Sequence, residues 1–321
     1  MDDRPVIDEV VDTTSALSGP TTTVSHPAER QVTADPDDHP ADPVLPETGD
    51  VIGPYTLQGK LGTGVSCIVF RGWDVMTATS VAVKIVNWAN VYDRPAAMRQ
   101  MRVESSCLAR VKHPRVVRFI DFGYDPRWPY LVTEYVNGRP VGELIRDGGA
   151  LPADWAVCLT SQVVEALGAV WRAGLVHRDV KPDNVLVGAD GGCKLIDFGL
   201  AKAAVLQKSS GQTGPELAGT AGYLAPEQAK DASVVDLRAD IYSLGVTFYE
   251  LLTGRLPFEG RNRMQVIFQH LNTPPVPPAE RVPGLPPLVS DLCLWMLAKA
   301  ADERPQSYDE LRQAFDTVMG K

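Results

Sequence analysis

Residues 175–187 read LVHRDVKPDNVLV, an apolar pair followed by a polar loop and a second apolar run. The apolar flanks are short, rich in β-branched residues and bounded by turn residues, which predicts two strands around an ordered loop. The loop carries one His, one Arg, two Asp, one Lys and one Asn. A purely structural loop needs few of these side chains, whereas a site that handles a proton, a phosphate and a metal ion needs most of them.

The composition indicates a folded protein preceded by an acidic tail. Of the 321 residues, 44% are hydrophobic, which supports a substantial core in one large two-lobed domain or in two ordinary domains. The first fifty residues hold 12 acidic and 2 basic side chains, a net charge of −10, whereas the whole chain carries −9. The remainder is thus close to neutral, at about +1, and we expect no nucleic-acid partner.

Cysteine usage and apolar runs predict a cytoplasmic protein. The five cysteines include no Cys-x-x-Cys pair, which is typical of reduced thiols rather than of a disulfide framework or a zinc site. The N terminus is acidic, where a signal peptide would be basic and then apolar. The longest apolar-rich run, Ile241–Leu252, includes Glu250 and is too short to span a bilayer. We therefore expect a soluble protein without a membrane partner and no further domain after Phe315.

The chain changes character near residue 50. Residues 1–50 are rich in Pro, Thr, Ser and Asp, so they cannot bury enough surface to offset their chain entropy and are predicted to be disordered. Short β-rich runs separated by turns follow, and then a long amphipathic helix. The predicted strands are Tyr55–Leu57, Cys67–Phe70, Val81–Val86, Val116–Phe122 and Tyr130–Val136, and the predicted helix is Asp154–Ala173.

Two opposite charges lie where apolar residues are expected. Lys84 sits inside the apolar run of a predicted strand. Residues 95–111 have a helical pattern, and Glu104 falls on the apolar stripe of that helix. A lone Lys on an edge strand usually reaches solvent, but a buried ammonium and a buried carboxylate each need a partner. The two misplaced charges therefore predict an ion pair between Lys84 and Glu104.

The polar loop is one part of a longer pattern. His-Arg-Asp at residues 177–179 is followed by Lys181, by Asn184, and by Asp-Phe-Gly at residues 197–199. Each piece alone is common, but their combination at these spacings resembles the protein Ser/Thr kinase family. The sequence GYLAPEQ at residues 222–228 looks most like bacterial members of that family.

The resemblance implies an α+β fold with a small β-rich lobe and a larger, mainly helical lobe. We expect the tail at residues 1–50, the small lobe with its hinge at 51–136, and the large lobe at 137–321. Residues 51–319 would form one domain. Within it, Glu227 is expected to pair with Arg304 in the interior, and Asp240 to cap a helix, to anchor the polar loop, or both.

The resemblance also implies roles for single residues in phosphoryl transfer. Asp179 would accept the proton of a substrate hydroxyl, and Lys181 would neutralise the transferred phosphate. Lys84, held by Glu104, would contact the phosphates of ATP, and Thr220 would hydrogen-bond the catalytic Asp and Lys. Asn184 and Asp197 would offer oxygen ligands to Mg²⁺, with Mn²⁺ as an alternative. The residues expected to bind the nucleotide are Leu61, Gly62, Gly64, Val69, Ala82, Lys84, Glu134 and Val136, with Thr133 as gatekeeper.

One position departs from the family pattern. Gly62 and Gly64 lie at a strand–strand turn, where glycine lets backbone N–H groups approach a phosphate. The family usually has a third glycine where Cys67 stands in this chain. We expect this residue to stiffen or widen the loop and to present a thiol near the nucleotide.

Regulation is expected in the segment between residues 197 and 227. Arg178 precedes the catalytic Asp, where a cation commonly pairs with a phosphate on this segment. We expect phosphorylation of Thr213, or of Ser209 and Ser210, to order the segment against Arg178. A mobile loop with incidental hydroxyl groups is the alternative.

The sequence favours a protein Ser/Thr kinase that uses MgATP, acts on protein hydroxyl groups and phosphorylates its own activation segment. The Lys two residues after Asp179 is typical of Ser/Thr rather than Tyr specificity. A pseudokinase scaffold and a small-molecule phosphotransferase of related fold are the alternatives. A homodimer is left open.

Overall fold

The structure, a computed structural model, describes residues 45–64, 66–91, 93–125, 127–197, 221–231 and 235–320. Most of the predicted acidic tail therefore lies outside the described residues. The first part of the described chain is dominated by strands and the second by helices. The predicted α+β class with two lobes is confirmed.

The small lobe is built on a six-stranded antiparallel sheet with the order β1-β2-β3-β4-β6-β5. A single long helix, α1, packs against β5 and β6. Asp93 caps this helix by accepting a hydrogen bond from the backbone N–H of Ala96. The elements are β1 Val51–Ile52, β2 Tyr55–Thr63, β3 Cys67–Asp74, β4 Thr79–Val86, α1 Arg94–Ala109, β5 Phe119–Tyr124 and β6 Pro129–Glu134.

Side-chain alternation divides this sheet into two faces. In β3 and β4 every second residue is buried, as expected for strands that cover a core with one face. The opposite face carries Val69, Ala82 and Lys84, which are only partly buried. The sequence pattern therefore brings the predicted nucleotide-binding residues to one side of the sheet. The buried face consists of Ile68, Phe70, Val81, Val83, Ile85 and Val132, among others.

The large lobe contains a second, three-stranded sheet and most of the helices. Its sheet has the order β7-β8-β9 and carries the segment that follows the polar loop. The elements are β7 Gly138–Pro140, α2 Val141–Gly148, α3 Ala153–Arg172, β8 Val185–Gly188, β9 Cys193–Leu195, α4 Pro226–Lys230, α5 Leu237–Thr253, α6 Arg263–Asn272, α7 Pro278–Arg281, α8 Pro287–Met296 and α9 Tyr308–Val318.

Helix α5 lies at the centre of the large lobe. Fourteen of its residues are buried, and it packs against α3, α7 and α8. An all-round apolar helix of this kind is stable only inside a core. Among the described helices, none combines the length and the apolar character needed to cross a lipid bilayer.

Three local predictions were wrong. Leu175 and Val176 do not form a strand, because the amides that follow them bond to a side chain of α5 rather than to a neighbouring strand. Val116 makes only an isolated bridge to Leu195, and the strand begins at Phe119. Helix α5 begins at Leu237 with Asp236 as its cap, so Asp240 lies inside the first turn and does not cap the helix.

Candidate functional site

The carboxylate of Asp179 is held by two side chains of the same loop. Its Oδ2 accepts hydrogen bonds from Lys181 Nζ at 3.0 Å and from Asn184 Nδ2 at 2.9 Å. Asn184 Nδ2 also donates to the backbone oxygen of Asp179 at 2.7 Å. Asp179 is buried. The loop thus brings together a carboxylate, an ammonium group and an amide, and fixes the direction of the carboxylate.

Asp240 anchors the backbone of this loop from helix α5. Its two carboxylate oxygens accept the backbone N–H groups of His177 and Arg178, each at 2.7 Å. Burial raises the pKa of Asp240 to about 6, although both hydrogen bonds and the nearby Arg178 oppose the shift. The anchoring role predicted for Asp240 is therefore confirmed. Arg178 itself has a left-handed backbone with φ 66°, a conformation that non-glycine residues rarely adopt without a compensating contact.

His177 links the loop to the segment that carries Asp197. The imidazole is fully buried, its Nδ1 accepts the N–H of Asp179 at 3.3 Å, and its Nε2 lies 3.3 Å from the backbone oxygen of Ile196. These contacts fit a neutral ring with its proton on Nε2. In the sequence, only the spacing of His177 from Asp179 indicates a role for this residue.

The predicted pair between Lys84 and Glu104 is formed. Lys84 Nζ lies 2.7 Å from Glu104 Oε1 and also contacts Asp197 Oδ1. The ammonium group of Lys84, in β4, thus contacts one carboxylate from helix α1 and one from the segment that follows β9. Asp197, like Arg178, has a left-handed backbone, with φ 61°.

Two carboxylates compete for this one cation. The two acids raise the pKa of Lys84 above its ordinary value, against the effect of its burial, so the ammonium form is retained. Burial raises the pKa of Glu104 to about 7; Lys84 opposes this shift and Asp197 adds to it. The group Lys84–Glu104–Asp197 carries a net charge of −1 when all three are ionised, which favours the approach of a further cation.

Strand register assembles the predicted nucleotide-binding residues on the partly exposed face of the small lobe. Val69 is paired with Gly62 in β2 and with Lys84 in β4, and Ala82 is paired with Thr133 in β6. The side chain of Leu61 projects from the end of β2 and is 49% exposed. These residues form an apolar surface with Lys84 at one end.

The glycine-containing turn is closed by a backbone hydrogen bond. Gly64 N donates to Cys67 O at 2.8 Å, and Asn87 N donates to Ser66 O at 2.8 Å. Cys67 packs beside Val86 and Met101, and burial raises the pKa of its thiol. The expected accessible thiol is therefore partly buried and stays protonated at neutral pH.

The predicted hinge links the two lobes through Glu134. Its Oε1 accepts the N–H of Arg118 at 3.0 Å and pairs with Lys194 Nζ at 2.7 Å. Because Glu134 ends β6 and Lys194 lies in β9, this ion pair joins the small lobe to the sheet of the large lobe. Val136 follows, and its backbone oxygen accepts the N–H of Gly138 at 3.0 Å.

Asn184 and Asp197 are suited to a hard cation. They lie just before β8 and just after β9, at the open end of one hairpin, where Ile196 N donates to Asn184 O at 2.9 Å. The amide nitrogen of Asn184 is turned toward Asp179, which leaves its oxygen as the ligand. Among the described residues no group of three or more His, Cys, Asp or Glu side chains could hold a metal ion. Two oxygen donors fit Mg²⁺, which commonly binds one or two protein ligands together with phosphate oxygens and water.

The interior pair between Glu227 and Arg304 is also formed, as predicted. Arg304 donates to both carboxylate oxygens of Glu227, at 2.7 and 2.9 Å. Helix α5 contributes a second contact to the same region, because Ser243 Oγ donates to Tyr223 O at 2.7 Å. These contacts tie residues 221–227 to the core of the large lobe.

Several residues at the site were not predicted from the sequence. Tyr223 donates a hydrogen bond to Glu250 Oε2, and Arg146 pairs with Asp183 at 3.0 Å, next to Asn184. No local sequence pattern predicts these contacts, since each joins residues far apart in the chain. The predicted Thr220, Ser209, Ser210 and Thr213, and the Phe and Gly of residues 198–199, lie outside the described residues.

Comparisons with known proteins agree with this geometry. The sequence profile described as "Protein kinase domain" matches residues 55–315. The chain is 40% identical over 251 residues to the serine/threonine-protein kinase PknL of Mycobacterium tuberculosis, covering 78% of this chain and 62% of PknL. It is 36% identical over 262 residues to the serine/threonine-protein kinase PknB of Mycobacterium leprae, covering 80% and 42%. The match thus spans less than two thirds of these relatives.

Solved structures give the same result. The crystal structure of the PknI kinase domain of Mycobacterium tuberculosis matches with a TM-score of 0.66 and 25% sequence identity, covering 85% of this chain and 99% of that domain. The profile match includes the polar loop, the ion pair of Lys84 with Glu104, and nearly all of both lobes. By these matches, the chain belongs to the protein kinase family.

Proposed function

We propose that this protein is a protein Ser/Thr kinase that transfers the γ-phosphoryl group of ATP to hydroxyl groups of protein substrates. Membership of the protein kinase family implies ATP, a divalent metal ion and protein substrates in general. One observation carries the specific proposal. Lys84 is joined to both Glu104 and Asp197, so the phosphate-binding and metal-binding parts of a kinase site are connected to each other.

In this proposal Asp179 orients the substrate hydroxyl group and accepts its proton. The support is that the carboxylate is buried and is fixed by Lys181 and Asn184. Lys181 lies against the same carboxylate and would neutralise charge on the transferred phosphate. A carboxylate and an ammonium group in direct contact can act on the hydroxyl and on the phosphate together.

The proposed nucleotide site lies on the partly exposed face of the small lobe. Lys84 would bind phosphate oxygens, while Asn184 and Asp197 would hold Mg²⁺, or Mn²⁺ in its place. When bound, the metal ion neutralises and orients the phosphate oxygens. The apolar surface of Leu61, Val69 and Ala82 would enclose the base together with the backbone of Glu134 and Val136, and the turn of Gly62 and Gly64 would cover the phosphates.

We infer protein Ser or Thr as the acceptor because Lys181 stands two residues after Asp179. This spacing is shared with Ser/Thr kinases, and PknL and PknB carry that description in their names. The proposed domain limits, residues 51–319 with a lobe boundary at 136, remain predictions. So do the cytoplasmic location and a homodimer.

Arg178 is the proposed sensor of activation-segment phosphorylation. Its Nε is buried and has no hydrogen-bond partner within the described ranges. A phosphate on Thr213, or on Ser209 and Ser210, would supply strong acceptors for this guanidinium group. Mass spectrometry of active protein should find at least one of the three residues phosphorylated. Full activity with none of them modified would contradict this part of the proposal.

The central test compares wild type with Asp179→Asn in an assay with radiolabelled MgATP and a protein substrate. We expect phosphate incorporation to fall by at least about 10²-fold, because the variant removes the base. Asp190→Asn is the matched control, since Asp190 is an exposed residue of the β8–β9 turn whose carboxylate accepts a hydrogen bond from Gly192 N. Equal incorporation by wild type and Asp179→Asn would overturn the proposal.

The same assay separates the alternatives. A pseudokinase would bind nucleotide but incorporate no phosphate in wild type. A small-molecule phosphotransferase would consume ATP only when a small hydroxyl compound is added, and protein would remain unlabelled.

A further inference from the structure

An open groove lies in the large lobe, away from the residues assigned to phosphoryl transfer. It has a volume of about 290 Å³ and lies between the loop that follows α5 and the segment that joins α6 to α7. This volume is at the lower end of the range typical of enclosed small-molecule sites, roughly 300–1,000 Å³. An open groove of this size is better suited to a short peptide segment that lies across it.

The base of the groove is buried and apolar. Pro257 and Phe258 are buried, and the Phe258 ring is covered by Lys299 Nζ at 4.0 Å from its centroid. Gln269 Nε2 donates to Glu259 O at 2.6 Å, which ties the C-terminal half of α6 to the loop. The groove is therefore held open by contacts of its own and does not depend on a partner for its shape. Leu256 and Val276 complete its apolar lining.

Two arginines give the groove its charge. Arg255 and Arg281 both line it and are exposed, and neither forms an ion pair with a carboxylate in the described part of the chain. The Arg281 guanidinium lies over the ring of the buried Tyr249, 5.9 Å from its centroid, which limits its freedom. Glu259 is the single acidic residue of the lining. Two guanidinium groups against one carboxylate leave a net charge of +1.

We propose that this groove docks an acidic segment of a protein substrate, in which Asp or Glu side chains alternate with apolar ones. The carboxylates would pair with Arg255 and Arg281, because a guanidinium group binds a carboxylate through two parallel hydrogen bonds. The apolar side chains would cover Leu256 and Val276. Two positive charges are too few for a nucleic-acid backbone, which is bound through a run of phosphate contacts.

Docking outside the phosphoryl-transfer site raises the local concentration of the hydroxyl group that is to be phosphorylated. This part of the inference rests on the proposed function, since it requires a protein substrate. The binding of the acidic segment does not depend on the proposed function, because it can be measured without ATP. Each part of the inference can therefore be disproved independently of the other.

The binding test uses the full chain and a fluorescein-labelled peptide with the sequence GDLDLDG, followed by fluorescence anisotropy. We expect Arg255→Gln/Arg281→Gln to weaken binding by about 10-fold, through the loss of two charge-assisted contacts. The peptide GNLNLNG should bind wild type as weakly as GDLDLDG binds this double variant. Arg312→Gln, which changes an exposed arginine on α9, is the matched control and should bind like wild type.

The single variant Arg255→Gln controls for a loss of stability in the double variant. Arg281 contacts the ring of Tyr249, whereas Arg255 has no such contact among the described residues. The single variant should show an intermediate loss of affinity with an unchanged melting temperature. Equal affinity of wild type and the double variant for GDLDLDG would overturn the proposal. So would equal affinity of wild type for the acidic and the amide peptide, or tighter binding of a single-stranded oligonucleotide at the same arginines.

The kinetic test joins GDLDLDG by a flexible linker to a Ser-containing substrate peptide. We expect a KM several-fold lower than that of the unlinked substrate at unchanged kcat, and the double variant should abolish this difference. Loss of phosphorylation of both substrates in wild type would count against the proposed function and leave the anisotropy result standing. Normal phosphorylation without any effect of the linked peptide would overturn the docking role.

Discussion

Two of the largely buried ion pairs among the described residues differ in how completely their charges are satisfied. In the large lobe, all five N–H donors of Arg304 are used, by Glu227 and by the backbone oxygens of Arg238, Ala298 and Lys299. Its side chain has 0% exposure. In the small lobe, Lys84 faces two carboxylates, of which the Asp197 side chain is 42% exposed.

We interpret the first pair as structural and the second as part of the proposed phosphate and metal site. Arg304 and Glu227 balance each other, and nothing further is needed to stabilise them. When all three side chains are ionised, Lys84, Glu104 and Asp197 carry one negative charge in excess, so the arrangement can still exchange partners with a phosphate or a metal ion. We therefore assign the proposed ligand site to the pair whose charges do not balance.

The largest expected effect comes from breaking the balanced pair. Arg304→Met should lower the free energy of unfolding by about 3–5 kcal/mol, because Glu227, whose side chain is 24% exposed, loses its partner and three backbone oxygens lose their donor. Urea unfolding followed by circular dichroism measures this loss. The double variant Glu227→Met/Arg304→Met should recover part of it. A loss below about 1 kcal/mol in Arg304→Met would show that the pair is not the structural element we describe.

Breaking the unbalanced pair should affect activity more than folding. Lys84→Met is expected to lower phosphate incorporation by at least about 10²-fold, through the loss of phosphate contacts. The melting temperature should fall less than in Arg304→Met, because Glu104, whose pKa burial raises to about 7, can take up a proton and Asp197 is partly exposed. Lys112→Met, at an exposed lysine after α1, serves as the control. If Lys84→Met unfolds like Arg304→Met, the distinction between the two pairs is wrong.

A smaller effect is expected at Asp240, which anchors the polar loop to helix α5. Asp240→Asn keeps the shape of the side chain but replaces one acceptor oxygen by an NH₂ group, which cannot accept the N–H of His177 or Arg178. We expect a loss of about 1–3 kcal/mol in unfolding free energy. Activity should fall further than this loss of folded protein accounts for, because the loop loses its orientation. If activity falls only in proportion to the amount of folded protein, Asp240 is a purely structural anchor.

The smallest expected effect is on the pH dependence of stability. The pKa of Glu104 is raised from 4.5 to about 7 in the folded protein, so the contribution of this group is greatest at low pH and is lost as the pH rises through about 7. Glu104→Gln does not titrate. The stability of wild type relative to this variant should therefore fall by about 1 kcal/mol or more between pH 5 and pH 8. Thermal unfolding at both pH values measures it, and a relative gain over this range would reverse the assigned direction.

The sequence was most informative where a charge interrupted an apolar pattern. The sequence predicts that Lys84 and Glu104 pair because Lys84 interrupts an apolar run and Glu104 falls on the apolar stripe of a helix. Helix periodicity alone locates Glu104. The polar loop was recognised because its side chains are closely spaced along the chain. In such cases the residues that matter lie close together in the sequence. The repeat of two residues in a strand, or of 3.6 residues in a helix, then gives the direction in which each side chain points.

Contacts between distant segments were not predictable in the same way. Whether Asp236 or Asp240 caps α5 depends on the partner that each carboxylate finds, and Asp240 finds backbone amides 62 and 63 residues earlier in the chain. The same contact explains why Leu175 and Val176 fail to form a strand. The roles of His177 and of the pair Tyr223–Glu250 likewise depend on tertiary packing, which overrides local propensity.

Helix α5 also predicts which amides are best protected against hydrogen exchange. Fourteen of its residues are buried, and it supplies Asp240 to the polar loop and Ser243 to the segment before α4. The amides of His177 and Arg178 keep their acceptor only while this helix is docked. Native-state hydrogen exchange should therefore be slowest along α5, and the amides of His177 and Arg178 should become exchangeable no later than those of the helix.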